Sequence, residues 1–140
     1  MILDAGDTFF ASAVLAPQNA EGDKKQAEGI LQGYEKIGCD ALNIGGFDLA
    51  AGKDYLLSLT EGSTITFISA NLTDTEDNLL FPAYTIVENN GFKVGVIGVS
   101  DLIPAHIIDV KKRPYVETAN MLIAEIESQV DFVVLLANVQ

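Results

Sequence analysis

The chain has few of the residues that carry most protein chemistry: its 140 residues include one cysteine, one histidine and no tryptophan. A single cysteine excludes an intrachain disulfide and any CxxC metal or haem motif. Lysine and arginine number 8 against 20 acidic residues, a formal net charge of −12. This balance argues against nucleic acid or an anionic membrane surface as a partner, because both require clustered basic side chains.

Long apolar runs are also missing. No stretch approaches the roughly 18 residues that a membrane span needs, so membrane insertion is not expected. The opening "MILDAGDTFF" reads as a core strand and not as a secretory signal. A strand at the first residue suggests a single domain, 1–140, taken from a longer parent chain.

What is present is a regular alternation of strand and helix patterns. Apolar residues recur at helical spacing before Gly38, which favours a helix end, and Asn90-Gly91 separates two alternating runs as in a tight hairpin. The predicted elements are a strand at 1–5, a helix at 24–37, a strand at 41–44, a helix at 49–59, a strand ending at Asn71, a hairpin of 84–89 and 92–99, a helix starting at Pro114 and a last strand at 130–140.

This order predicts an α/β protein, a layered sandwich with a mainly parallel sheet and one antiparallel hairpin. In such folds ligands bind beyond the carboxyl ends of the strands. Three strand ends are clear in the sequence: Gly6-Asp7-Thr8, Gly45-Gly46-Phe47-Asp48 and Ala137-Asn138. We therefore expect any functional site to lie where these segments meet.

The same segments carry a resemblance to a known family. "LDAGDTFF" resembles the second metal motif of the calcineurin-like metallophosphoesterases, in their 5′-nucleotidase branch, and "GYEKIGCDALNIGGFDLAAGKDYL" is similar to the stretch that this branch builds around G-N-H-[DE]. "FISANL", "PAYTIVENNGFKVGVIGVS" and "DFVVLLANVQ" are similar to its later strands. The resemblance implies an αββα fold, a two-metal hydrolysis of phosphate esters with Mn²⁺, Zn²⁺ or a similar ion, and an exported or periplasmic location.

Carried over position by position, the resemblance makes Asp7 the bridging metal ligand. Gly45 and Asp48 match the first and last positions of G-N-H-[DE], and Asp48 is not a metal ligand in the family. The residues alone are equally consistent with a second interpretation, in which Asp7 is a turn or helix-cap residue.

Three other family positions are not kept. Gly46 stands where the family has its ligand asparagine, Phe47 where it has its catalytic histidine, and Asn138 where its last strand has a histidine ligand. Glycine has no ligand atom, phenylalanine cannot transfer a proton, and an amide is a poor transition-metal ligand. We therefore expect a vestigial site at Asp7, no bound cofactor and no catalytic residue.

Three functions compete. The first is a non-catalytic binding or structural module. The second is a divergent metal-dependent phosphoester hydrolase completed by segments or subunits outside this chain, which would supply the family's first D-x-H and late G-x-H ligands. The third is a domain that binds a nucleotide or other small ligand in a cleft over Gly45, Gly46 and Asp48 without hydrolysing it.

Partners are not specified by the sequence, although an uncovered sheet edge would favour a homodimer. The only histidine, His106, is expected to be a loop residue beside Ile107 and Ile108. The only basic cluster, Lys111-Lys112-Arg113, either holds an anion or is a solubilising loop.

Overall fold

A computed structural model gives the fold of residues 1–139; Gln140, which the last predicted strand included, lies outside the described residues. The described part of the chain forms these elements in order: β1 (Leu3–Asp4), α1 (Ala20–Ile37), β2 (Ala41–Asn43), a 3₁₀ turn (Phe47–Leu49), α2 (Lys53–Thr60), β3 (Thr66–Ile68), β4 (Leu72–Thr73), β5 (Tyr84–Asn89), β6 (Phe92–Ser100), β7 (Lys111–Lys112), α3 (Tyr115–Ile126) and β8 (Phe132–Asn138).

Two three-stranded sheets form the centre of the molecule. One has the order β1-β2-β3 and is parallel throughout. The other has the order β5-β6-β8, with β5 antiparallel and β8 parallel to β6. This is the predicted α/β class, with a mainly parallel arrangement and one antiparallel hairpin.

Alternation of side chains along the strands builds the layers. In β2, Leu42 packs in the cluster that contains Leu31 of α1 and Leu56 of α2, whereas Ala41 packs in a second cluster with Val96 of β6. Successive strand residues point to opposite faces, so one face of each sheet meets helices and the other meets the second sheet. The result is an αββα sandwich.

The second sheet shows the same alternation. Ile97 and Val99 of β6 pack with Leu122 and Ile126 of α3, while Val96 joins the cluster between the sheets. Helix α3 thus forms the fourth layer, over the outer face of the second sheet.

Two local signals are confirmed in detail. Gly38 ends α1 with φ of 75°, a left-handed conformation that glycine adopts without steric cost. Asn90 and Gly91 both have positive φ, 53° and 83°, as a type I′ turn requires, and they join β5 to β6 in the predicted register.

Several predicted boundaries are wrong. α1 begins at Ala20 and not at 24, because Glu21 and Asp23 lie in its first turn, where negative charge is stabilised by the helix dipole. The predicted helix 49–59 is divided into the 3₁₀ turn and α2, because Gly52 between them has φ of 96°.

The first and last strands differ from prediction in burial. Met1 and Ile2 are 48% and 39% exposed, and Phe132 at the start of β8 is 57% exposed. β1 and β8 are the end strands of their sheets within the described residues, so each has one strand neighbour there. The apolar sequences predicted core strands, but Met1 and Ile2 precede β1 and Phe132 is the first residue of β8, so these exposed side chains lie at strand ends.

The structure also contains a short ribbon that the sequence did not predict. β4, which follows β3 along the chain, pairs antiparallel with β7, which precedes α3, and the two form a separate two-stranded sheet. Two-residue strands carry too little periodicity to be recognised in a sequence. Among residues 1–139, no helix combines the length and apolar character needed to cross a membrane.

Substitution by alanine should have opposite effects on stability at Gly98, which lies between the two sheets, and at Gly29, which lies on the surface of α1. A Cβ on Gly98 would lie against the buried Asn43 side chain, 2.9 Å from its Cγ, whereas nothing lies within 4 Å of a Cβ on Gly29 in α1. We expect Gly98→Ala to lower the free energy of unfolding by about 1–3 kcal/mol. Gly29→Ala should raise it by about 0.5–1 kcal/mol.

Denaturant unfolding of both variants measures this difference. Equal effects at the two glycines would contradict the close packing of β6 against β2.

Candidate functional site

The candidate site lies where β1 and β2 end. After β1 the chain turns through Gly6 and Asp7, both with positive φ, 99° and 60°. After β2 it passes Gly45 and Gly46 into the 3₁₀ turn. The two turns are in direct contact, because a Cβ on Gly6 would lie only 2.8 Å from the Asn43 carbonyl oxygen.

The carboxylate of Asp48 connects the two turns. Its Oδ1 accepts hydrogen bonds from the backbone N–H groups of Thr8 (2.8 Å) and Phe9 (2.9 Å), and its Oδ2 accepts from those of Asp7 (3.0 Å) and Gly45 (2.8 Å). The side chain has no exposed surface. All four bonds go to backbone, so Asp48 acts as a structural anchor with both oxygens engaged.

Burial also affects the ionisation of the Asp48 carboxyl group. Desolvation raises the pKa of Asp48 to about 6, although the hydrogen bonds from Phe9, Gly45 and Asp7 act in the opposite direction. A raised pKa often accompanies catalytic carboxyl groups. Here the four backbone hydrogen bonds give the buried carboxylate a structural role.

Asp7 is the residue that the resemblance predicts to be the bridging ligand. Its Oδ1 accepts a hydrogen bond from the N–H of Phe47 at 2.7 Å, and Phe47 is the first residue of the 3₁₀ turn. This bond joins two turns and is not a local helix cap, since the N-cap position of the 3₁₀ turn is Gly46. Asp7 itself lies in the turn after β1, and its metal role stays a prediction.

The space beside the two glycines is filled by other side chains of this chain. A Cβ on Gly45 would lie 2.9 Å from Asp7 Cγ, and a Cβ on Gly46 would lie 2.7 Å from Leu102 Cβ. Both glycines are buried. In the direction that a side chain would take, each glycine faces packed atoms, and a small-ligand cleft over these residues stays a prediction.

Phe47 and Asn138 are the two residues that the resemblance aligns with the family's histidines. Phe47 is half-buried, and its backbone C=O accepts a hydrogen bond from Ala50 N–H at 2.9 Å. Asn138 is half-buried at the end of β8, where its C=O accepts a hydrogen bond from Asp101 N–H at 3.0 Å. The structure thus brings the end of β8 beside the segment that follows β6.

Two buried asparagines near the site were not singled out by the sequence analysis. Asn43 Nδ2 donates to the C=O groups of Ala5 and Val99, both at 3.0 Å, and so joins the two sheets. Asn71 Oδ1 accepts from Ser100 N–H at 2.9 Å, and its Nδ2 donates to Ser100 C=O at 2.7 Å. A polar residue within an apolar stretch such as "ALNI" or "FISANL" is the signal that indicates a buried hydrogen-bonded role.

The other sequence candidates lie apart from any ligand cluster. His106 is an exposed loop residue whose Nε2 lies 3.2 Å from Ala50 C=O. In the basic cluster, Lys112 pairs with Asp101 at 2.6 Å and Arg113 with Asp77 at 3.1 Å. Within residues 1–139, no three His, Cys, Asp or Glu side chains are grouped as a metal site would need.

Comparison with known proteins agrees with this fold and with the motifs. No protein-family profile matches the chain. The 5′-nucleotidase of Vibrio cholerae is 30% identical over 116 residues, which are 78% of this chain and 21% of that protein. The 5′-nucleotidase of Vibrio vulnificus is 32% identical over 81 residues, 57% of this chain and 15% of that protein.

Solved structures show the same fold. The calcineurin-like phosphoesterase YfkN of Bacillus subtilis superposes with a TM-score of 0.77 at 22% identity, over 98% of this chain and 47% of that one. A 5′-nucleotidase precursor of Thermus thermophilus gives a TM-score of 0.75 at 22% identity, over 98% of this chain and 27% of that one.

These likenesses confirm the resemblance that the motifs predicted. The chain is a calcineurin-like metallophosphoesterase domain. It is of the 5′-nucleotidase type, and it spans between 14% and 21% of the length of three curated 5′-nucleotidases.

The anchor role of Asp48 predicts a large loss of stability on its removal. Asp48→Ala would leave four N–H groups of two turns without their acceptor, and an unsatisfied buried donor costs about 1–3 kcal/mol. We expect the free energy of unfolding to fall by about 3 kcal/mol or more.

Asp54→Ala, at an exposed aspartate in the first turn of α2, is the matched control and should change stability by about 0.5 kcal/mol or less. The prediction fails if chemical denaturation gives the two variants the same midpoint.

Proposed function

We propose that this domain has lost the family's metal ligands and catalytic histidine and acts as a non-catalytic binding or structural module. The observation that carries the proposal is the packing at Gly46. The position that resembles the family's ligand asparagine has no side chain, and Leu102 lies against it at 2.7 Å from where a Cβ would be.

The chemistry of the remaining groups supports the same conclusion. Catalytic zinc sites use about three protein ligands for one ion, and a pair of ions requires more. Asp7 offers one carboxylate, and its Oδ1 already accepts the hydrogen bond from Phe47 N–H. Both oxygens of the neighbouring Asp48 accept backbone hydrogen bonds. The described residues therefore do not fit a pair of divalent ions, and we assign no metal-dependent step to them.

The position of the catalytic histidine gives independent support. Phe47 has no group that can donate or accept a proton, so it cannot protonate a leaving group. The backbone N–H of Phe47 donates a hydrogen bond to Asp7 Oδ1. This bond stabilises the turn but supplies no group for proton transfer. Asn138 offers only an amide where the family has an imidazole ligand.

A second function rests on a different observation. The chain spans at most 21% of the length of the curated 5′-nucleotidases it resembles, so other segments of a longer parent, or a second subunit, could supply ligands. The domain would then belong to a divergent metal-dependent phosphoester hydrolase. One solved relative is described as a 5′-nucleotidase precursor, which favours an exported location for either function.

A phosphatase assay with added metal tests the proposal. We expect the purified domain to release no phosphate from a nucleoside monophosphate or from p-nitrophenyl phosphate above the buffer rate, with Mn²⁺, Zn²⁺ or Co²⁺ present. The 5′-nucleotidase of Vibrio cholerae, assayed in parallel, is the positive control.

Metal-dependent turnover that Asp7→Ala abolishes would refute the loss of activity. The longer native parent, assayed in the same way, separates the two functions. Activity confined to the parent and lost on Asp7→Ala would favour the divergent hydrolase.

A further inference from the structure

We infer that Leu102 and Gly46 form a coupled pair that keeps the former ligand position closed. Restoring a side chain at position 46 then requires the side chain at position 102 to be removed. The coupling follows from packing alone, and only its meaning for metal binding rests on the proposed function.

The distances show why the contact cannot be relieved easily. A Cβ on Gly46 would lie 2.7 Å from Leu102 Cβ, 2.8 Å from its Cγ and 2.9 Å from its Cδ2. A change of rotamer moves Cγ and Cδ2 but leaves Cβ in place. The clash with Cβ therefore persists in every rotamer of Leu102, and only a movement of the backbone relieves it.

The backbone around Leu102 is held on its N-terminal side. Ser100 N–H donates to Asn71 Oδ1 at 2.9 Å, and Asp101 N–H donates to Asn138 C=O at 3.0 Å. The Lys112 ammonium pairs with the Asp101 carboxylate at 2.6 Å. Moving Leu102 away from Gly46 would disturb these contacts.

The backbone around Gly46 is held as well. Phe47 N–H donates to Asp7 Oδ1, and Gly45 N–H donates to Asp48 Oδ2. Neither side of the contact can shift without losing hydrogen bonds of buried or half-buried groups. The combination of glycine at 46 and leucine at 102 is consequently a matched pair, and asparagine at 46 is incompatible with leucine at 102.

A double-mutant cycle tests the coupling. It compares the wild-type chain with Gly46→Asn, Leu102→Gly and the double variant, each unfolded in denaturant. Leu102→Gly removes the Cβ as well as the rest of the side chain. We expect Gly46→Asn to raise the unfolding equilibrium constant in both backgrounds. The fold-increase in the wild-type background should be at least ten times the fold-increase in the Leu102→Gly background.

If Gly46→Asn does not fold, Gly46→Ala replaces it, because the clash already arises at Cβ. Leu102→Ala, which keeps the Cβ, should relieve less of the penalty than Leu102→Gly. The matched control is the same cycle with Gly29→Asn in α1, where nothing lies within 4 Å of a Cβ and the effects should add.

Additive effects of Gly46→Asn and Leu102→Gly would overturn the inference. This failure is distinct from failure of the proposed function. Phosphatase activity of the wild-type domain would refute the proposed loss of activity but would not change the coupling energy between positions 46 and 102. Additive effects of the two substitutions on stability would refute the coupling but would not change the result of the phosphatase assay.

Discussion

The arrangement of the site depends on one side chain, the buried carboxylate of Asp48. Its two oxygens accept four backbone N–H groups, three from the turn after β1 and one from the turn after β2. Without it, two turns that contain left-handed backbone would present unsatisfied donors to the interior. The carboxylate of Asp48 thus has a structural use that does not require a metal.

A second set of hydrogen bonds fixes these turns to the other sheet. Asn43 joins the end of the first sheet to β6, and Asn71 holds the backbone of Ser100. Together with Asp48 they position Gly46 beside Leu102 and Phe47 beside Asp7. The contacts that fill this place are the packing of Leu102 against Gly46 and hydrogen bonds from backbone N–H groups to the carboxylates of Asp7 and Asp48.

Much of the fold was predictable because its signals are local. Asn90-Gly91 specified a hairpin and its register, and Gly38 specified a helix end, each through the backbone conformation that those residues favour. The ribbon of β4 and β7 was not predictable, because two-residue strands lack periodicity. The exposure of Phe132 was not predictable either, since it depends on which distant residues cover the start of β8.

The site was predictable in part. Strand ends and motif order located Asp7, Gly46 and Asp48 together. Three of the four bonds of Asp48 and the contact between Gly46 and Leu102 join residues about 40 to 60 positions apart. Such contacts are set by tertiary packing, which no local pattern encodes. Titration of the domain with Mn²⁺ and Zn²⁺ in a calorimeter is the direct test of whether the metal ligands are lost. We predict no saturable binding; stoichiometric binding that Asp7→Ala removes would show that the ligands are kept.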